Sequence, residues 1–188
     1  MRVFLDFEAS SLAKHSYPIE VAWVFEDGNA ESYLIKPAPD WTDWDEEAEA
    51  IHHISRDSLQ SEGKPHDWVA HRMIETLSDY QLFASAPSWD GKWLSRLLRT
   101  AKYPRHRLRL RDSDIAHAET AREILKPILA EEKREAVVAL LLAATPARAP
   151  DAVATHRALP DAQEERERWV RIKAAAEQLA HAHCNNGG

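Results

Sequence analysis

The feature that most constrains this chain is a short hydrophobic run near its start that carries two acids on one side. Val3–Leu5 and Phe7 are apolar and predict a buried strand, in which residues two apart share a face. Asp6 and Glu8 therefore point the same way, with Phe7 on the other side. Two adjacent carboxylates there repel each other and lose hydration, and Mg²⁺ or Mn²⁺ relieves both costs. The alternative is an edge strand with two solvated acids, and the tripeptide alone leaves both interpretations open.

The composition is that of an ordinary domain with few special features. The chain has 188 residues and a formal net charge of −7, which predicts one domain and argues against a protein that coats nucleic acid nonspecifically. Cys184 is the single cysteine, so we expect neither an internal disulfide nor a cysteine-based zinc site. There is no signal-like start and no apolar run long enough to span a bilayer, so we expect a cytoplasmic protein without a membrane partner.

The order of the predicted elements indicates an α/β domain. Strand-like runs predict a meander followed by two further strands, at 2–8, 19–25, 32–35, 81–85 and 108–110. Helical spacing predicts helices at 45–54 with Ile51 and Ile54 inward, 66–77, 91–101, 115–142 with a bend or break at Pro127, and 160–182. This succession predicts a central mixed five-stranded sheet flanked by helices. We expect residues 1–182 to form a single domain and 183–188 to be a flexible tail.

Three further polar residues extend the acidic pattern of the first strand. Asp90 follows a strand-like run and comes at the start of a helix. Pro160 suits the first turn of the last helix, which places Asp161 in that turn and His156 in the loop before it. Five residues on a continuous helix are about 140° apart, so these two are not a zinc pair on one helical face. The spacing allows Asp161 to hold a metal while His156 lies above the site.

With these residues in view, the sequence resembles the DEDDh 3′–5′ exonucleases, a family that includes ribonuclease T, oligoribonuclease and the proofreading exonucleases of DNA polymerases. The first motif, Asp-x-Glu, matches 6–8, and the second, an aspartate with an aromatic three residues later, matches Asp90 and Trp93. The third motif, His-x-Ala-x-x-Asp-Ala, matches 156–162. Two other segments are similar, Ile19-Glu20-Val21 and His52-His53-Ile54-Ser55, the latter with His53 where the family usually has Gly.

The resemblance implies a ribonuclease H-like fold and phosphodiester hydrolysis supported by two Mg²⁺ or Mn²⁺ ions. Asp6 would bridge the two ions. Glu8 and Asp161 would complete the first ion's site, and Asp90 would support the second ion. His156 would be the general base, because an imidazole exchanges its proton near neutral pH.

The same resemblance suggests the substrate and its contacts. The partner would be the 3′ end of single-stranded RNA or DNA, with RNA slightly favoured because short stand-alone members of the family often trim RNA. The candidate substrate-binding residues are Phe7, Ser10, Ser11, His15 and Trp89. Homodimerisation follows from the same analogy. Three alternatives stay open: a DNA proofreading or repair subunit docked on a polymerase, a catalytically inactive nucleic-acid-binding regulator, and a metal-stabilised structural domain.

Overall fold

A computed structural model of the protein describes residues 1–146 and 156–186, with side chains through His183. Within these residues six strands and seven helices follow one another: β1 Arg2–Ala9, β2 Pro18–Phe25, β3 Ala30–Lys36, α1 Glu46–His52, α2 Arg56–Ser61, β4 Lys64–Pro65, α3 His66–Leu77, β5 Gln81–Ala84, α4 Pro87–Thr100, β6 Leu110–Asp112, α5 Ser113–Leu125, α6 Glu131–Ala144 and α7 Ala158–Asn186. The mixture of strands and helices confirms the predicted α/β class.

The strands form one mixed sheet with the order β4-β3-β2-β1-β5-β6. β1, β2 and β3 form the predicted antiparallel meander, whereas β5 pairs in parallel with β1 and β6 pairs in parallel with β5. The predicted number of five strands is wrong by one, because the two residues of β4 also pair with the edge of β3. A strand of two residues is too short to leave an alternating hydrophobic pattern in the sequence.

The two faces of β1 pack against different helices. Val3, Leu5 and Phe7 belong to the core that contains the buried apolar residues of α3 and α4. Phe4 instead packs with residues of α5 and α7, among them Trp169. Asp6 and Glu8 are two and four residues after Phe4 and therefore lie on the same face of β1. This is the face of the sheet that α7 covers. The separation of the two acids from Phe7, predicted from the alternation, is therefore confirmed.

Helix α1 departs from its prediction in the side that it buries. Ile54 is buried as expected, but Ile51 is 51% exposed and His52 is buried in its place. The reason is that α1 ends at His52, where His53 takes the left-handed conformation with φ 57° and caps the helix. Glycine is the usual residue at such a cap. This explains why the exonuclease family that the sequence resembles usually has Gly at this position.

The remaining helices differ from their predictions mainly at their ends. α4 begins at Pro87 rather than near residue 91, so Asp90 lies inside its first turn. The long helical stretch after residue 113 is broken around Pro127 into α5 and α6, as predicted. α7 continues through Asn186; residues 187–188 of the expected tail and the side chain of Cys184 lie outside the described residues. Among the described helices, none combines the length and the apolar character that crossing a membrane requires.

Candidate active site

Three acids from opposite ends of the chain meet at the carboxyl end of β1. Asp6 and Glu8 come from that strand, and Asp161 comes from the first turn of α7. One ligand oxygen from each of these carboxylates lies within 4.8 Å of the other two. Hard divalent cations prefer carboxylate oxygens at about 2.0–2.6 Å. The three residues therefore fit a Mg²⁺ or Mn²⁺ ion between them.

Asp90 adds a fourth acid from the first turn of α4. One oxygen of its carboxylate, Oδ1, accepts the backbone N–H of Phe7 at 3.2 Å, which ties α4 to β1. The other, Oδ2, is buried and has no hydrogen-bond partner among the described residues. A buried carboxylate oxygen without a partner is costly unless a cation or a water molecule binds it. Asp90 therefore fits a second ion, bound directly or through water.

Three of these four acids, Asp6, Glu8 and Asp90, hold their protons more tightly than isolated carboxyls do. Burial raises the pKa of Asp6 well above its ordinary value, and Asp90 adds the largest repulsion. Burial, followed by repulsion from Asp161, raises the pKa of Glu8 to about 8. Burial likewise raises the pKa of Asp90 to about 7. Bound cations would offset this repulsion, so the electrostatics of the site favour metal binding.

His156 lies just before α7, beside the acids. Its side chain is exposed and lines a cavity of about 260 Å³ together with Glu8, Ser11 and Trp93. Its backbone has a φ of 46°, which is uncommon for a residue other than glycine. The structure thus brings all five predicted catalytic residues to one end of the sheet. Four of them lie on β1 or at the start of α7, and the fifth, Asp90, lies on α4.

Two of the predicted substrate contacts are serines whose side chains form hydrogen bonds within the protein. The hydroxyls of Ser10 and Ser11 both donate to Asp43 Oδ2, at 2.9 and 2.6 Å. Both serines are buried, although Ser11 also contributes to the wall of the cavity beside Glu8. Their hydroxyls hold the loop after β1 in place.

The other three predicted contacts are divided between core and surface. The ring of Phe7 is buried on the opposite face of β1, so only its backbone faces the acids. His15 is exposed, and its carbonyl accepts a hydrogen bond from Arg96 at 2.7 Å. Trp89 is 39% exposed and stacks on Trp93 with 5.8 Å between ring centroids. Trp89 is therefore the exposed aromatic surface in the first turn of α4.

Sequence reasoning assigned no role to two buried polar residues at the site. Glu20 of β2 lies directly opposite Glu8 in the sheet. His52 accepts the backbone N–H of Ile54 at Nδ1, at 3.0 Å, so its hydrogen is on Nε2, which has no partner among the described residues. Burial lowers the pKa of His52, which favours the neutral form of the ring. Both residues lie in segments that carried the family resemblance, and that was the only signal for them.

The raised pKa values predict that the metal-free protein loses stability as the pH rises. Glu8 and Asp90 bind protons more tightly in the folded state than in the unfolded state, where carboxyls titrate near pH 4, so their contribution is present at low pH and lost as pH rises toward about 8. In EDTA we expect the free energy of unfolding, relative to that of the Asp90→Asn variant, to fall by a few kcal/mol between pH 5 and 8.5, since one pKa unit corresponds to about 1.4 kcal/mol. Denaturant titrations of both proteins measure this difference, and a difference that stays constant would contradict the prediction.

Comparison with known proteins identifies the fold class. No protein-family model matches the chain, and no curated protein does. The mixed sheet with its flanking helices has the predicted ribonuclease H-like fold, which it shares with solved structures of exonuclease I.

The solved structures with a similar fold include several of exonuclease I. The zinc-bound complex of E. coli exonuclease I with single-stranded DNA matches with a TM-score of 0.64 and 17% identity, over 96% of this chain and 42% of that chain. The complex of the E. coli enzyme with a dA16 oligonucleotide gives 0.64 and 16%, over 95% and 42%. A product-bound structure of exonuclease I gives 0.61 and 16%, over 96% and 45%. The chain thus spans less than half the length of these neighbours, and the likeness shows their fold.

Proposed function

We propose that this protein is a metal-dependent 3′–5′ exonuclease that hydrolyses phosphodiester bonds in single-stranded nucleic acid. The observation that carries the proposal is the convergence of Asp6, Glu8 and Asp161, whose ligand oxygens lie within 4.8 Å of one another. Asp90, whose Oδ2 has no hydrogen-bond partner within the described part of the chain, and the nearby imidazole of His156 add the remaining groups. Neighbours of the same fold that are exonucleases bound to single-stranded DNA support this kind of substrate.

The chemistry follows from the positions of these groups. Asp6, Glu8 and Asp161 would hold one Mg²⁺ or Mn²⁺ ion, and Asp6 with Asp90 a second. Such ions activate water and stabilise negative charge on the phosphate and the leaving oxygen. His156 accepts the proton of the attacking water, a new P–O bond forms, and the bond from phosphorus to the 3′ oxygen of the preceding nucleotide breaks. The leaving 3′ oxygen takes up a proton, and a nucleoside 5′-monophosphate is released.

The cavity beside Glu8 suits the terminal nucleotide of such a strand. Leu12 and Ile51 line it and remain 68% and 51% exposed, although both are large apolar side chains. Apolar walls next to a charged centre favour a flat base over the sugar–phosphate backbone. The exposed ring of Trp89 offers a stacking surface for a further base.

Substituting Leu12 and Ile51 by Ala should therefore weaken substrate binding without affecting the fold. We expect the double variant to raise KM for a short oligonucleotide about 10-fold, because contact with one base is lost, at about 1–3 kcal/mol per base. The melting temperature should stay unchanged because both side chains are already exposed. Leu140→Ala on α6, where Leu140 is also 68% exposed, is the matched control. An unchanged KM in the Leu12 and Ile51 variant would rule out this cavity as the base site.

The proposed activity is tested by a time course on matched DNA and RNA oligonucleotides with free or blocked 3′ ends, in Mg²⁺, Mn²⁺ or EDTA. We expect stepwise shortening from free 3′ ends, no shortening of blocked ends, and no reaction in EDTA. The sequence resemblance favours RNA and the DNA-bound neighbours favour DNA, so the ratio of the two rates decides the preferred sugar. Binding without hydrolysis in either metal would contradict the proposal and favour the inactive nucleic-acid-binding regulator.

The predictions on assembly and location have separate tests. Homodimerisation in solution is measured by sedimentation equilibrium across a range of protein concentrations. A polymerase-docked proofreading role would require faster removal of a mispaired 3′ nucleotide than of a paired one, which the same time course measures on primed duplexes. A cytoplasmic location is tested by fractionation of the source cells.

A further inference from the structure

A buried glutamate of β2 links the two segments that supply the candidate metal ligands. Glu20 is 3% exposed and pairs with Glu8 in the antiparallel register of β1 and β2. Its Oε1 accepts a hydrogen bond from Arg157 Nη2 at 2.7 Å, and its Oε2 accepts one from Arg157 Nε at 3.0 Å. Oε2 also accepts the backbone N–H of Ala158 at 3.0 Å. One carboxylate thus binds a guanidinium in the fork geometry and the first residue of α7 at the same time.

This arrangement gives α7 an N-terminal cap from a distant part of the chain. The first N–H groups of a helix have no partner within the helix and are usually capped by a side chain of the residue just before it. That residue is Arg157, which carries no acceptor. Glu20, 138 positions before Ala158, supplies the acceptor instead, and its negative charge also suits the positive end of the helix dipole.

The position of Glu20 carries an electrostatic cost. Its charge adds to the repulsion that raises the pKa values of Asp6 and Glu8. Arg157 acts in the opposite direction and lowers the pKa of Glu8. Glu20 is buried but the Arg157 side chain is 43% exposed, and neither exposed nor buried ion pairs contribute much net stability. The best-supported use of such pairs is to specify one geometry. The pair is therefore better suited to defining the position of α7 than to stabilising the fold as a whole.

The residues held by this pair are those at which the proposed chemistry takes place. Arg157 directly follows His156, and its carbonyl accepts the backbone N–H of Asp161 at 3.2 Å. We propose that Glu20 is a positioning residue, which acts through Arg157 and the start of α7 to set Asp161 and His156 against Asp6 and Glu8. This inference rests on the proposed function for its effect on turnover, and on the geometry alone for its effect on metal binding.

The test compares Glu20→Gln with a matched ion pair outside the site. Gln keeps the size of the side chain and an acceptor for Ala158, but it loses the charge that binds Arg157. Glu31 of β3 binds Arg72 in the same fork geometry, at 2.8 and 2.9 Å, so Glu31→Gln is the control. We expect Glu20→Gln to lower kcat about 100-fold with little change in KM, because small displacements of reacting groups cost about that much. It should also weaken Mn²⁺ binding measured by calorimetry about 10-fold, whereas Glu31→Gln changes neither quantity.

A second variant separates positioning from general damage. If Glu20 and Arg157 act as one unit, Glu20→Gln combined with Arg157→Gln should cost no more in kcat than either change alone. Thermal melting in EDTA verifies that each variant is folded. Wild-type kcat and Mn²⁺ affinity in folded Glu20→Gln would overturn the inference while leaving the proposed activity intact. A wild-type protein without nuclease activity, but with Mn²⁺ binding that Glu20→Gln weakens, would sustain the positioning role and refute the function.

Discussion

Replacing Asp6 by Asn is expected to abolish hydrolysis in both Mg²⁺ and Mn²⁺, with kcat reduced at least about 1,000-fold. Asp6 is central to the acidic group, since Glu8, Asp90 and Asp161 all act on its carboxyl electrostatically. A carboxylate can bind one cation with each oxygen, whereas a neutral amide offers a single weaker oxygen ligand. Asn has nearly the same size, so the change tests the charge and not the packing. Rates of release of the 3′-terminal nucleotide under saturating substrate measure the effect.

Calorimetry and thermal melting distinguish this result from unfolding. We expect Asp6→Asn to lose most of the heat of Mn²⁺ binding but to melt at the same temperature as wild type or higher in EDTA, because it removes a buried and repelled carboxyl. The control is Asp79→Asn, which changes an exposed acid just before β5, at the other end of that strand from the site. Wild-type Mn²⁺ affinity in Asp6→Asn would remove Asp6 from the metal site.

The local part of the site could be predicted from the sequence because strand geometry is a short-range property. The alternation of Val3, Leu5 and Phe7 with polar residues fixes which side chains share a face of β1, and the structure confirms it. The proximity of Asp161 to that strand is instead a long-range property. No periodicity relates residues at opposite ends of a chain. The start of the last helix only allowed Asp161 to hold a metal, and the motif resemblance was what grouped it with Asp6 and Glu8.

The features that sequence reasoning missed depend on contacts between distant segments. The hydroxyls of Ser10 and Ser11 were considered for the substrate, yet they donate to Asp43, more than 30 positions away. Glu20 was noticed as part of a similar segment, but its role depends on Arg157, 137 positions later. Local patterns carry no information about such partners, since many distant polar residues are equally compatible with each of them.

One feature that sequence reasoning missed, the end of helix α1, is local but depends on a small conformational energy. Helical spacing alone places Ile51 on the inner side of α1, yet the structure exposes it and buries the neighbouring His52. A left-handed His53 ends the helix and turns the chain so that Ile54 enters the core. A residue other than glycine in that conformation costs about 1–2 kcal/mol, so a pattern of apolar residues does not anticipate it. The tertiary packing of Ile54 and His52 offsets the cost.

Removing the imidazole of His156 is expected to lower kcat by about 100- to 10,000-fold, the range typical of a lost general base. The design of the variant matters because His156 has a φ of 46°. Asn visits this left-handed region more readily than Ala does, so His156→Asn removes the base with less change in backbone strain than His156→Ala. Single-turnover rates of the wild type and the variant measure the effect.

The Mn²⁺ affinity of the same variants distinguishes a general base from a metal ligand at position 156. The side chain of His156 is exposed and lies outside the group of three carboxylates, so Mn²⁺ affinity and the melting temperature should remain those of the wild type. His106→Asn, an exposed histidine in the loop between α4 and β6, is the matched control and should leave kcat unchanged. If His156→Asn kept the wild-type rate, the proton of the attacking water would have to pass to another acceptor. Glu8, whose pKa is raised to about 8 in the absence of metal, would then be the next group to substitute.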